Sequence, residues 1–156
     1  MRKEEIPADI TYLAFNFFYW FSRFEYALKE NEFLKCHVGG SRAEPGWDEF
    51  VTKFETNYTP SEQAYALLKA SPEAQVVAEN NQLAWKAVDL SNCKSELEKV
   101  VRLLKTIRNN LFHGGKHGGA GWDDPKKTSC LLSSGMLVLD QLAELASIEA
   151  DYRQRY

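Results

Sequence analysis

The sequence has few of the residues that crosslink a chain, interrupt its helices or carry it through a membrane. Its three cysteines, Cys36, Cys93 and Cys130, are an odd number without a CxxC pair, which fits reduced thiols better than a disulfide framework. The apolar run ITYLAFNFFYWF spans about a dozen residues, short of the ~20 that cross a bilayer. The start, MRKEEIPADI, lacks the apolar stretch of a signal peptide. We therefore expect a soluble, cytoplasmic protein without a membrane segment.

Positive charge is also in deficit. The chain has 19 Lys and Arg against 22 Asp and Glu, a formal net charge of −3. No global cationic field therefore attracts nucleic acid, and any polyanion must be held by a local patch. With 44% hydrophobic and 26% charged residues, the composition is that of a globular protein. We expect a single domain over residues 1–156.

Turn signals are sparse, and apolar residues follow a helical period through nearly the whole chain. The predicted helices cover 8–35, 47–58, 59–70 (Thr59 as cap, Pro60 at the first position), 71–90, 91–112 and a last segment from about Lys126. No strand-like alternation is evident. The predicted fold is therefore all-α, an antiparallel bundle of about four to six helices.

The first predicted helix is apolar on two opposite sides. One face carries Ile10, Leu13, Phe17, Phe21, Phe24 and Leu28, and the other carries Tyr12, Phe15, Tyr19 and Tyr26. A helix that is apolar all round is buried on two sides. The second side is covered either by the short helices of the same chain or by a second protomer in a symmetric dimer.

The helix over 91–112 ends in the sequence RNNLFHGG. Its core stripe is Leu97, Val100, Leu104, Ile107 and Leu111, while Arg102, Lys105, Asn109 and His113 share the opposite side and Arg108 lies at the border. The electronegative C-terminal end of a helix favours a protonated histidine. A guanidinium, a neutral amide and a titratable imidazole together suit the binding of a phosphodiester and the movement of protons around it.

The arrangement of Arg108, Asn109 and His113 at the end of a late helix resembles the R-x4–6-H signature of HEPN domains, in which a polar residue commonly follows the arginine. The first-helix stretch FSRFEYALKENEFL is similar to that of some members. The resemblance implies a two-fold symmetric dimer whose two motifs face one cleft, and metal-independent endoribonuclease activity. Such enzymes serve as toxins, in antiphage defence and in RNA processing, so RNA and an antitoxin or defence-system protein are the expected partners.

Carried onto this chain, the resemblance makes Arg108 the ligand of the scissile phosphate. It implies that His113 acts in proton transfer or in holding the phosphate, and that Asn109 orients one of the two. Cleavage by the 2′-hydroxyl would leave 2′,3′-cyclic phosphate and 5′-hydroxyl ends, with no metal or other cofactor. Arg102, Lys105 and Lys116 are the further candidates for RNA or phosphate binding. Some members carry a tyrosine two residues after the histidine as the target of an antitoxin; Gly115 occupies that position here, which argues against that form of control.

Glu25 borders the core face of the first helix, where an unpaired carboxylate is costly. We hypothesise that it pairs with Arg108 or Arg23 and orients the guanidinium; the alternative is a partly exposed carboxylate near Lys29. A zinc site from His113, His117 and Asp123 or Asp124 is disfavoured, because no cysteine is near and glycines give no rigid geometry.

Simpler interpretations remain open for each residue. Arg108 and Asn109 fit a solvated helix edge, and His113 with Gly114 fits an ordinary helix C-terminus. At the level of the whole chain, the alternatives to a ribonuclease are a non-catalytic HEPN-like adaptor that binds a nucleotide, RNA or protein, and a purely structural dimerisation bundle.

Overall fold

Six helices and one β-hairpin make up the part of the chain that the structure describes, residues 7–112 and 124–154 of this computed structural model. The elements are α1 (Ala8–Glu30), α2 (Trp47–Phe54), α3 (Glu62–Ala70), β1 (Glu73–Val77), β2 (Leu83–Ala87), α4 (Glu96–Phe112), α5 (Pro125–Ala146) and α6 (Glu149–Arg153). The predicted helical character is confirmed. The all-α prediction is wrong over residues 71–90, where the hairpin replaces a helix.

The long helices α1 and α5 pack against each other, and α3, α4 and α6 surround them. Gly135 of α5 allows the close approach, because a Cβ at this position would lie 2.6 Å from Cε2 of Phe17. The predicted core stripe of α4 is buried at Leu97, Val100, Leu104 and Ile107. A glycine facing a phenyl ring is therefore the contact that sets the distance between the two central helices.

A second part of the core is aromatic and lies between α1 and α2. Trp47 stacks on Phe24 with ring centroids 5.1 Å apart and lies 5.5 Å from Phe21. Phe50 contacts Phe24 edge-on at 5.7 Å and Phe33 at the same distance. Offset and edge-on contacts of this kind are the favoured aromatic geometries, so they fix α2 firmly against the C-terminal half of α1.

The hairpin turns at Asn80 and Asn81. Asn81 has a positive φ of 59°, and the Asn80 side chain accepts a hydrogen bond from the backbone N–H of Gln82. Asparagine tolerates both features well, and Val76 and Val77 favour an extended backbone. The register pairs Glu73 with Ala87 and Val77 with Leu83. The Asn-Asn pair was the sequence signal for this turn.

Helix ends also differ from the predictions. The first helix ends at Glu30 rather than residue 35, because Glu32 takes a left-handed φ of 64° and the N–H of Phe33 bonds to the carbonyl of Leu28. This is a Schellman ending without the usual glycine. Ser61, not Thr59, caps α3 by accepting from the N–H of Ala64 at 3.2 Å.

Among the described helices, α5 alone is long and apolar enough, by length and composition, to cross a membrane, with a mean hydropathy of 1.2. Its residues Leu132, Val138, Leu139 and Leu142 are buried in the core, and it packs against α1 and α3. This face of α5 is therefore part of the hydrophobic core of the described chain.

The two faces of α1 have different environments. The predicted core face is buried at Phe17, Phe21 and Phe24. On the opposite face, Tyr12 is 68% exposed and Phe15 is 65% exposed. The short helices of the described chain therefore leave Tyr12 and Phe15 uncovered. The interpretation that these helices cover the second face of α1 is wrong.

Candidate functional site

Arg108 lies near the C-terminal end of α4, half-buried against α1. Its Nη2 is 4.0 Å from Oε2 of Glu25, and its guanidinium carbon lies 5.8 Å from the ring centroid of Phe21. The core-facing neighbour Ile107 holds this turn of the helix against the core. The arginine is thus placed at the border between the core and solvent, where the helical spacing predicted it.

Glu25 is fixed on its other side by the aromatic core. Its Oε1 accepts a hydrogen bond of 3.0 Å from the indole N–H of Trp47, and Trp47 is itself only 4% exposed. One carboxylate oxygen therefore faces the indole and the other faces Arg108. The predicted pairing of Glu25 with Arg108 is therefore present as a long ion pair, with the carboxylate held on its other side by Trp47.

Arg23 has a different task, so the alternative pairing with Glu25 is wrong. Its Nε donates to the backbone carbonyl of Tyr152 at 3.3 Å and its Nη2 donates to the carbonyl of Asp151. Its guanidinium also covers the ring of Tyr26 at 4.7 Å. Arg23 therefore attaches α6 to α1.

The two asparagines after Arg108 have different partners: Asn109 contacts Arg108, and Asn110 contacts the β-hairpin. The side-chain oxygen of Asn109 accepts a hydrogen bond of 3.0 Å from Nη1 of Arg108. Asn110 points elsewhere and donates from Nδ2 to the carbonyl of Glu73 at 2.7 Å. Asn109 belongs with Arg108, while Asn110 ties α4 to the hairpin, a contact that no local sequence pattern indicates.

Arg102 lies on the predicted polar stripe, but its guanidinium is bound by residues at the N-terminal end of α4 and just before it. It forms an ion pair of 3.1 Å with Glu98 and donates to the carbonyl of Asp89 at 3.0 Å. Lys105, one turn further along, is exposed and forms no salt bridge with a described residue. The structure therefore brings Lys105 and Arg108 to one side, and leaves Arg102 at a structural contact.

Four of the residues singled out from the sequence, His113, Gly115, Lys116 and His117, lie outside the described residues, as does Asp123. His113 follows directly on the last residue of α4 in the sequence. The one described histidine, His37, pairs with Glu49 at 3.3 Å. Within residues 7–112 and 124–154, no group of three His, Cys, Asp or Glu residues is arranged to hold a metal ion.

Arg108 opens onto a cleft of about 660 Å³, which we call the Arg108 cleft. The cleft lies between the end of α1, the segment 34–46, the start of α2 and the C-terminal half of α4. Its cationic side chains are Lys29, Lys35, Arg42, Lys105 and Arg108, and its carboxylates are Glu25, Glu44, Asp48 and Glu49. Sequence reasoning missed Lys29, Lys35 and Arg42 as members of this site, since two of them lie on an irregular segment far from α4 in the sequence.

The wall of the cleft at 34–46 is held by backbone contacts. The N–H of Lys35 bonds to the carbonyl of Glu44 at 3.0 Å, and the N–H of Gly46 bonds to the carbonyl of Phe33 at 2.8 Å. A Cβ at Gly46 would lie 2.7 Å from the backbone of Leu34, so only glycine allows this approach. The pairing of Lys35 with Glu44 at 3.0 Å also lowers the pKa of that carboxyl.

The cleft thus combines an oriented guanidinium with further cations on a solvent-open surface, which is suited to binding an anion such as a phosphodiester. Comparisons with protein-family models, with curated proteins and with solved structures found no match to this chain.

Proposed function

We propose that this protein is a metal-independent, HEPN-like endoribonuclease that acts as a homodimer in the cytoplasm, in a toxin, antiphage-defence or RNA-processing role. The observation that carries the proposal is the connection from Trp47 through Glu25 to Arg108. It holds a guanidinium at the edge of an open polar cleft, with Asn109 bonded to the same group. A residue oriented from a rigid core in this way is what recognition of a phosphodiester requires.

In the proposed reaction, RNA supplies its own nucleophile. The 2′-hydroxyl oxygen attacks the adjacent phosphorus and loses its proton, the bond from phosphorus to the 5′-oxygen breaks, and that oxygen takes up a proton. The products are a 2′,3′-cyclic phosphate and a 5′-hydroxyl. Arg108 binds the phosphate and stabilises the charge that develops on its oxygens, Asn109 positions the guanidinium, and His113 transfers a proton.

The exposed aromatic face of α1 supports the dimer. Tyr12, Phe15 and Tyr19 are each more than a third exposed, and the sequence from residue 10 to 22, which holds all three, contains no charged side chain. Tyr26, the fourth residue of this face, lies under the guanidinium of Arg23. An uncharged aromatic face can pair with its own copy about a two-fold axis without charge repulsion. The composite site formed by two copies of Arg108 and His113 is implied by the HEPN resemblance and is a separate part of the proposal, because Arg108 lies on the Phe21 side of α1.

The direct test is cleavage of single-stranded RNA by the purified protein in buffer that contains EDTA. We expect cleavage with 2′,3′-cyclic ends, and a loss of at least about 100-fold in rate for both Arg108→Ala and His113→Ala, the usual range for removing an electrostatic or acid–base group. Arg102→Ala is the matched control on the same helix, and its rate should stay within about threefold because Arg102 is bound to Glu98. A need for added metal, or cleavage that persists in both active-site variants, would contradict the proposal.

A second candidate function is a non-catalytic adaptor that binds a nucleotide, RNA or protein through the same cleft. It is favoured by the net charge of −3 and by the four carboxylates that line the cleft beside its five cations. RNA binding without any 2′,3′-cyclic product would select this function over catalysis.

A further inference from the structure

We infer that Lys29 and Arg42 bind phosphates of the RNA strand next to the scissile linkage, so that the Arg108 cleft holds a run of backbone rather than one phosphodiester. The inference rests on the proposed function in taking RNA as the ligand. Neither residue belongs to the polar stripe of α4. They reach the cleft from the last turn of α1 and from the segment 34–46.

The position of Lys29 follows from the helix. It is four residues after Glu25, so the two side chains lie one turn apart on the same side of α1. Since Glu25 faces Arg108, Lys29 extends the cationic surface along the cleft from that point. Arg42 lines the cleft from a segment whose base is closed by the hydrogen bond from the N–H of Lys35 to the carbonyl of Glu44.

The charges of the cleft are paired unevenly. Among its carboxylates, Glu25 is paired with Arg108, Glu44 with Lys35, and Glu49 with His37. The cations Lys29, Arg42 and Lys105 form no salt bridge with any residue of the described ranges.

Asp48 is the cleft carboxylate without a salt bridge in the same ranges. It lies in the first turn of α2, where it compensates the positive end of that helix. The net charge of −3 counts histidine as neutral, and on the same count His37 does not cancel the charge of Glu49. Three cations without a salt bridge therefore face two carboxylates, Asp48 and Glu49. The cleft carries a local surplus of positive charge on a protein whose net charge is −3.

A polyanion fits this surface better than a small anion. The unpaired cations come from three separate elements, namely α1, the segment 34–46 and α4, so they surround an open cleft instead of converging on one buried point. The aromatic residue that lines the cleft, Trp47, is 4% exposed and offers no ring for base stacking. The expected recognition is therefore of phosphates, with little dependence on base sequence.

Two measurements test the inference. The first is binding of a 2′-O-methyl RNA of about ten nucleotides, which cannot be cleaved by 2′-hydroxyl attack, to Lys29→Ala and Arg42→Ala over a range of salt concentrations. Each phosphate contact on a single strand contributes a slope of about 0.7 in log K against log salt, so each variant should lose about 0.7 in slope and bind about fivefold more weakly at 0.1 M salt.

The second measurement is cleavage of two substrates, a dinucleotide with one phosphodiester and an RNA of about ten nucleotides. We expect KM to rise about fivefold for the longer RNA in both variants and to stay unchanged for the dinucleotide, which does not reach the additional phosphate contacts. Lys69→Ala is the control, because Lys69 is an exposed lysine of α3 that does not line the cleft; it should match the wild-type protein throughout.

The outcomes separate this inference from the proposed function. If the wild-type protein cleaves RNA and both variants keep the wild-type salt slope and KM, the inference is overturned and the ribonuclease remains. If no protein cleaves RNA but the two variants lose affinity and slope, the cleft binds phosphates and the catalytic proposal fails instead. Equal weakening by Lys69→Ala would show that net charge alone drives binding, which also overturns the inference.

Discussion

The two ends of α4 carry the same kinds of side chain and use them differently. At the N-terminal end, Arg102 pairs with Glu98, four residues away on the same helix, and the hydroxyl of Ser95 accepts the N–H of Glu98. At the C-terminal end, Arg108 pairs with Glu25, which belongs to α1. The first set of contacts is local, and the second exists only once α1 and α4 have packed together.

The difference teaches which arginine is available for a ligand. A pair at four residues' spacing on one exposed helix contributes only about 0.3–0.5 kcal/mol and can form in the isolated helix. The Glu25–Arg108 pair is at the long limit of an ion pair, 4.0 Å, with its carboxylate fixed by Trp47. Arg102 thus stabilises the start of α4, while Arg108 is positioned from the core towards the Arg108 cleft.

Among substitutions that compare the two ends of α4 while keeping both arginines, Glu25→Gln should have the largest effect. Glutamine keeps an oxygen that can accept from Trp47 but loses the charge that orients Arg108. We expect cleavage to fall about tenfold, by analogy with other residues that position a catalytic group, while the free energy of unfolding changes by less than about 0.5 kcal/mol because the carboxylate is partly exposed. Cleavage rates at saturating and limiting RNA, with urea unfolding, measure the two quantities.

The partner substitution gives the control for Glu25. Glu98→Gln removes the corresponding carboxylate from Arg102 and should leave cleavage unchanged. If Glu98→Gln and Glu25→Gln reduce cleavage equally, or if neither does, the distinction between the two ends of α4 is lost.

Ser95→Ala should have the next largest effect, on stability alone. Its hydroxyl accepts the N–H of Glu98 at 3.2 Å, and the Glu98 carboxylate accepts the N–H of Lys94 at 2.7 Å. Loss of a helix cap of this kind costs about 1 kcal/mol, which lowers Tm by about 2–4 °C in a protein of this size. Calorimetry should register the loss, and a tenfold fall in cleavage at a temperature where the variant is folded would show that this end of α4 is also part of the site.

Regular elements and their core faces were predictable because apolar spacing along a helix is a local property. Phe17, Phe21, Leu104 and Ile107 are buried as the period required. The hairpin was missed because apolar and polar residues do not alternate clearly at Val76 and Val77 or after Asn81. The reason is that most residues of β1 are exposed, so neither face of the strand has to be apolar.

The partners of charged residues were harder to predict. The spacing placed Arg108 and Arg102 on or near one stripe, but which of them finds a local carboxylate depends on Glu98, and which finds a distant one depends on how α1 meets α4. The choice between Arg23 and Arg108 for Glu25 was settled by α6, whose carbonyls bind Arg23. Arg42 joins the cleft only through the path of segment 34–46, which no periodicity describes, whereas Lys29 lines it from the last turn of α1.

Tyr58→Phe should have the smallest effect on the free energy of unfolding. The pH dependence of that effect tests how tightly the N-terminal end of α4 is packed. Burial, and to a smaller extent the negative charge of Glu96, the first residue of α4, together raise the pKa of Tyr58 to about 12. The buried Tyr58 hydroxyl has no hydrogen-bond partner among the described residues. Because the folded pKa lies above the unfolded value of about 10, this group's contribution to stability is complete below about pH 10 and is lost as pH rises towards 12.

Phenylalanine cannot ionise, so the variant should lose less stability than the wild-type protein between about pH 10 and 12. Burial also raises the pKa of Tyr152, so the variant keeps part of the alkaline loss. At pH 7 removal of an unpaired buried hydroxyl should leave stability unchanged or raise it by at most about 1 kcal/mol. Urea unfolding at both ends of the range is the measurement. An identical alkaline loss in the two proteins would mean that Tyr58 is already solvated in the native state, and that the N-terminal end of α4 is less tightly packed than its capping contacts imply.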